Sequence, residues 1–180
     1  MKIRTDSKGF SLVEVIIAIT IIAALTGTVG YGLSFVSGRP AEECARKTVS
    51  ILQHARTITM GKYKVLLSIE NHGGQLSIVQ NTYKSQSDYD ASAPETVTSV
   101  ISDRNVRFEY SDDGTNYYEL TDGSSLQLEF SRSTGALKSK DPAETEDTAK
   151  TYWQYFRISK AHTVKNISIL PLTGRTEICD

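Results

Sequence analysis

Lys8-Gly9-Phe10-Ser11-Leu12-Val13-Glu14 opens an apolar run that reaches Val36, and the reading of this stretch decides the fold. From Val15 to Gly38 no residue is charged, and Glu14 stands alone near the start of the run. An isolated carboxylate costs about 2.5–3.5 kcal/mol at mid-bilayer and less near the interface. A residue kept against that penalty marks a functional position, and the rest of the chain reads as something carried on this segment.

Residues 1–9 (MKIRTDSKG) are short, polar and net basic, as in the n-region of a secretory signal. The apolar stretch behind them is longer than the roughly 7–15 residues of a signal core. It also passes the ~20 residues that span a bilayer, and no A-x-A cleavage site closes it. The basic flank should stay in the cytoplasm while the remainder lies outside. The expectation is a single-pass anchor in the cytoplasmic (inner) membrane with an exported domain.

The span is uneven. Ile16, Ile17, Ile19, Ile21 and Ile22 fill its first half, while Thr26, Gly27, Thr28, Gly30 and Gly32 loosen the second. Each glycine weakens a helix in water by about 1 kcal/mol relative to alanine, yet small residues also let membrane helices pack closely. These glycines could let the helix extend and unwind, or could simply be tolerated in a membrane. Pro40 should kink or interrupt the helix.

Beyond it, Ala41, Cys44, Ala45, Thr48, Ile51, Leu52, Ala55 and Thr59 recur at helical intervals. Glu42, Glu43, Arg46, Lys47, Gln53 and Arg56 mostly face elsewhere. Gly61 is placed as a C-terminal cap. If continuous, residues 11–60 make a rod of about 75 Å. Its first half asks for lipid or helix neighbours all round, its second for a domain on one face.

From Tyr63 onward the texture is strands and turns. Tyr63–Ile69 and Gln75–Tyr83 flank Asn71-His72-Gly73-Gly74, a hairpin signal. Further strands are expected over Thr96–Ile101, Val106–Tyr110, Tyr117–Leu120, Leu126–Phe130, Tyr152–Ser159 and Val164–Leu170. Asp113-Gly114, Asp122-Gly123 and Ser133-Thr134-Gly135 read as turns. Gln86–Pro94 and the acidic stretch 140–150 read as surface loops. The expected fold is α+β: a leader over 1–9, a transmembrane half-helix over 10–38, an amphipathic half over 39–61, and an antiparallel β-sheet head over 62–180.

Composition bounds the function. The net charge is -1, and without residues 1–9 the balance is 17 basic against 20 acidic residues, which argues against wholesale wrapping of nucleic acid. The two cysteines, Cys44 and Cys179, are too few for a disulfide scaffold. In an exported domain they could form one bridge, closing a loop of roughly 135 residues worth ~4–5 kcal/mol in the chain-entropy model. Equally, they could be unrelated thiols.

Gly9-Phe10-Ser11-Leu12-Val13-Glu14, with its basic leader and aliphatic run, resembles the prepilin signature of type IV pilins and type II secretion pseudopilins. An ordinary signal peptide is cleaved after its apolar segment, whereas this resemblance places the cut before it. It implies that a prepilin peptidase cuts between Gly9 and Phe10 and methylates the new Phe10 amine, and that a long helix carries a β-rich head. Leu126–Phe130, Gly135, Tyr155-Phe156-Arg157-Ile158, Ile167-Ser168-Ile169 and Thr173-Gly174-Arg175 resemble the head of minor pilins and H-type pseudopilins, which closes with a strand and a Thr-Gly-Arg turn. The acidic insertion around Asp141–Asp147 departs from that pattern.

Cleavage would free an ammonium at Phe10, four residues before Glu14 and on the same helical face. The resemblance implies that Glu14 receives the terminal amine of a neighbouring subunit, which sets axial register while the isoleucine-rich helices form a filament core. Other subunits, a membrane assembly platform and the peptidase are then the partners. No GxxxxGK[ST] motif is present to bind nucleotide, and no nucleophile motif or cofactor box occurs, so a non-enzymatic role is expected. His54, His72 and His162 lack metal-ligand spacing. Arg157, Lys160, Lys165 and Arg175, near Tyr152, Trp153 and Tyr155, could contact DNA or form an ordinary solvated face.

Overall fold

A computed structural model describes residues 12–102, 105–139 and 151–179, and within the first helix the side chains of 12–23 and from 39 onward. The described residues fall into two compact units, one ending at Ser37 and the other beginning at Gly38. The helix α1 (Leu12–Gly61) is the regular element of the first unit and supplies its last turns to the second. It ends at the glycine expected to cap it. Pro40 lies inside α1 rather than breaking it. Its ring is buried, and that burial offsets part of the backbone hydrogen bond a helical proline forgoes.

In the second unit one stripe of α1 is fully buried: Ala41, Cys44, Ala45, Thr48, Leu52, Ala55 and Thr59. Six of these seven are small. The two threonines satisfy their hydroxyls within the helix, Thr48 donating to Cys44 O and Thr59 to Ala55 O, each at 2.8 Å. Burial pushes the Cys44 thiol up to about 12. On the opposite face, Arg46 and Lys47 pair with Glu42 and Glu43 at 2.9 and 3.0 Å with i,i+4 spacing.

Two antiparallel sheets complete the core. The first has the order β3-β2-β1-β6, from β3 (Glu95–Ser102), β2 (Gln75–Tyr83), β1 (Lys64–His72) and β6 (Ser125–Glu129). The second has the order β5-β4-β7-β8-β9, from β5 (Tyr118–Glu119), β4 (Arg107–Ser111), β7 (Tyr155–Lys160), β8 (Thr163–Leu170) and β9 (Arg175–Cys179). His72 pairs with Gln75 across Gly73-Gly74, whose φ values of 61° and 80° are what a two-residue hairpin turn demands. Large side chains come from the strands: Leu67, Ile69, Ile78, Phe108, Phe156, Ile158 and Ile167 join the helix stripe in one cluster.

Turns lock α1 to the sheets. Gln53 Nε2 donates to Thr176 O at 3.0 Å and Arg56 Nε to Thr173 O at 2.7 Å. These two side chains, expected to face elsewhere, therefore dock on the β8–β9 turn and the start of β9. That turn presses against another: a Cβ at Gly174, where φ is +67°, would stand 1.9 Å from Gly135 O.

Other expectations are corrected. Gln86–Pro94 is not all loop, because α2 (Gln86–Asp90) forms within it. The cause is a capping box, Asp88 N donating to Ser85 Oγ and Ser85 N to the Asp88 carboxylate. β9, not anticipated as a strong strand, is short and charged, with only Thr176 buried, as suits an edge. Tyr117–Leu120 shrinks to the two residues of β5. Cys44 and Cys179 are both free, one buried in α1 and the other exposed in β9, so no bridge is formed between them. The acidic stretch 140–150 lies outside the described residues.

Candidate functional site

The residues singled out by the sequence lie in two places. Gly9 and Phe10 are outside the described residues, but Glu14 occupies the first turn of α1 and is exposed. A carboxylate there meets the positive end of the helix dipole. Around it the helix is apolar on every side. Leu12, Val13, Val15, Ile16, Ile17, Ile19, Ile21 and Ile22 are between 45% and 77% exposed. Thr20 turns its hydroxyl back to Ile16 O, so the one polar side chain among the isoleucines is satisfied within the helix. Burying a side chain of this size is worth about 1.5–3 kcal/mol relative to leaving it in water. A contiguous apolar surface of this kind marks contact with lipid or protein. Among the described residues no helix is long and apolar enough to cross a membrane, the described side chains of this segment stopping at Ala23.

The second place is the basic set on the second sheet, and the strand register divides it. Phe156 and Ile158 of β7 and Ile167 and Ile169 of β8 point into the core. Residues paired across antiparallel strands share a face and successive residues alternate. Lys165, paired with Ile158, and Lys160 two residues on therefore lie on the core side of the sheet. Arg157 is paired with Asn166 and lies on the other side, as does Arg175, next to the buried Thr176. The four candidates for DNA contact thus do not converge.

Each is also engaged locally. The Arg157 guanidinium stacks 3.7 Å over the Tyr117 ring, and Arg175 Nε meets Glu177 at 2.6 Å. Lys160 Nζ donates to Asn105 O at 3.1 Å. The Glu42 carboxyl is held below its usual range, by the hydrogen bond and charge of Arg46 first and by Lys165 in smaller part. On the outer face, Arg107 bridges Glu109 and Glu119 at 3.1 and 2.9 Å. This face mixes signs instead of presenting a basic surface.

Elsewhere in the head, Asp113 organises a tight turn. Its carboxylate accepts from the backbone N–H groups of Asn116 and Thr115 and from the Asn116 and Ser111 side chains, which hold it well below the usual carboxylate range. Among the described residues no group of three His, Cys, Asp or Glu side chains is arranged to hold a metal ion.

Residues 4–30 match the family described as the prokaryotic N-terminal methylation motif, so the chain carries the type IV prepilin-type signature. The match covers the N-terminal segment alone, and there it supports a type IV pilin-like reading. The motif implies processing by a prepilin peptidase and assembly with other pilin subunits, through a membrane-anchored stage. No curated protein and no solved structure matches the chain.

Proposed function

We propose that the protein is a non-enzymatic structural subunit, a minor pilin or pseudopilin, of a type IV pilus or a type II secretion-like filament. The observation that carries this reading is the exposed apolar surface of α1 beside Glu14, inside the residues that bear the prepilin signature. A peptidase cuts after Gly9 and the freed Phe10 amine is methylated. The cytoplasmic membrane holds the helix until an assembly platform transfers it to the filament. There the isoleucines trade lipid for neighbouring helices, which leaves their burial nearly unchanged in free energy. Direction and register must then come from a polar contact, and Glu14 with a neighbour's Phe10 ammonium supplies one. The alternative, a DNA- or surface-binding subunit at a filament tip, would place the activity in the head, where the four proposed basic contacts lie on opposite sides of one sheet.

Intact-mass analysis and N-terminal sequencing of protein from cells that contain the peptidase should give a mature chain beginning at N-methylated Phe10. A chain that keeps residues 1–9 there would reject the reading. Glu14→Ala should be cleaved normally yet be largely lost from sheared filaments, as seen by immunoblotting. Normal incorporation of that variant would remove Glu14 from the register role.

A further inference from the structure

The short helix α2 closes a pocket in the head that the filament reading leaves unused. It is an open pocket of about 40 Å³. Lys62 follows α1, Lys64 opens β1, Lys84 follows β2, and Arg132 stands in the turn after β6. Stretches far apart in sequence thus bring four cations to one place. Tyr83, Tyr89, Ser85 and Gln86 complete the wall. Every lining side chain can donate a hydrogen bond, and none is a carboxylate.

The wall is held in position before any ligand arrives. Lys64 Nζ sits 3.4 Å over the Tyr89 ring, and that ring stands edge-on to Tyr83 at 5.1 Å. The capping box at Ser85 fixes the start of α2, the helix that carries Tyr89. Arg132 spends one N–H on Lys62 O at 2.6 Å, which sets the guanidinium and leaves other donors of its fork. Internal neutralisation is incomplete. Glu95 meets Lys84 at 2.6 Å, but Glu129 comes only within 3.9 Å of Lys64 and is held by Lys138 at 2.6 Å. Arg132 and Lys62 have no carboxylate partner among the described residues. A wall that holds four cations, offers a donor at every position and has no carboxylate suits a compact oxyanion that can accept from several of them.

We propose that this pocket binds a phosphate-type oxyanion, either free or as the headgroup of a phospholipid. The proposal stands on the geometry of the head and is independent of the filament reading. The test is a titration of the full chain in detergent micelles with inorganic phosphate, followed by NMR of the Tyr89 ring and the Arg132 Nε–H. Sodium chloride at matched ionic strength is the control for screening. Phosphate should produce a saturable shift at both groups that chloride does not. Lys62→Gln and Arg132→Gln should each weaken it by about tenfold, the value of one charge-assisted hydrogen bond. Lys62 is the variant that leaves the Arg132–backbone contact intact, and a native Trp153 spectrum certifies folding of either protein. Micelles doped with phosphatidylglycerol should displace phosphate if the source is a lipid headgroup, and should leave it bound if the source is soluble. Shifts no larger than those from chloride, or wild-type binding by both folded variants, would overturn the proposal.

Discussion

The two described ends of α1 share a backbone and differ in almost everything else. Between Leu12 and Ile22 large apolar side chains stand exposed on all sides. Between Ala41 and Thr59 a stripe of mostly small residues is buried, while charged pairs occupy the other face. Helix propensity does not explain the difference, since both ends are helical. What differs is where the partner comes from. The second end finds its cover in strands of the same chain, whereas the large side chains of the first stand exposed, a surface of the kind that marks contact with lipid or protein.

That division makes the largest prediction. Leu52→Ala should cost the fold about 2–5 kcal/mol by opening a cavity in the core. Ile19→Ala should change the same quantity by no more than ~0.5 kcal/mol, because its side chain is 61% exposed. Urea unfolding of the full chain in detergent, followed through the single tryptophan, Trp153, reads both. Equal losses would erase the distinction.

A smaller effect should follow from Gly174→Ala, about 1–3 kcal/mol for the left-handed backbone alone, with the contact against Gly135 O added. Hydrogen exchange should then quicken over residues 48–59 and stay unchanged over 12–23. Uniform acceleration along α1 would mean that the β8–β9 turn does not act specifically on the docked end.

The subtlest test uses the thiols. At about pH 8, where an ordinary thiol is partly ionised, iodoacetamide should label exposed Cys179 and spare buried Cys44 until the protein unfolds. The Cys44 thiol rises from its ordinary 9.0 to about 12 in the fold. Its contribution to stability is therefore fully present below pH 9.0 and is lost as pH climbs toward 12. Equal labelling rates at both cysteines in folded protein would show that the stripe opens readily.

Periodicity made much of this legible beforehand. The helix stripe was readable because apolar residues recur at three- and four-residue steps, and Leu52 and its small neighbours are buried as that pattern requires. The first hairpin was readable because Gly73-Gly74 permits the positive φ values of a tight turn. Three features were hidden for physical reasons. Ser85-Gln86-Ser87-Asp88 carries a capping box, but its polar composition masked a helix too short to show a period. Arg175–Cys179 has one large apolar residue, Ile178, and it is exposed, since an edge strand buries little. The division of Arg157 and Arg175 from Lys160 and Lys165 depends on strand register, which charge counting along the sequence does not capture. At the N-terminus a local motif sufficed to reveal the prepilin-type signature, because that signature is a contiguous run of residues.

The hydrogen bonds from Gln53 to β9 and from Arg56 to the β8–β9 turn span 123 and 117 residues of chain. They therefore impose an order on the birth of the molecule. The β1–β2 hairpin can close soon after its turn is made, but the docking site for α1 is completed only when Thr173 and Thr176 have been synthesised. At roughly 5–20 residues per second, that leaves α1 waiting on the order of 10 s. A nascent chain arrested before Thr173 would hold a formed hairpin beside a helix with nowhere yet to dock.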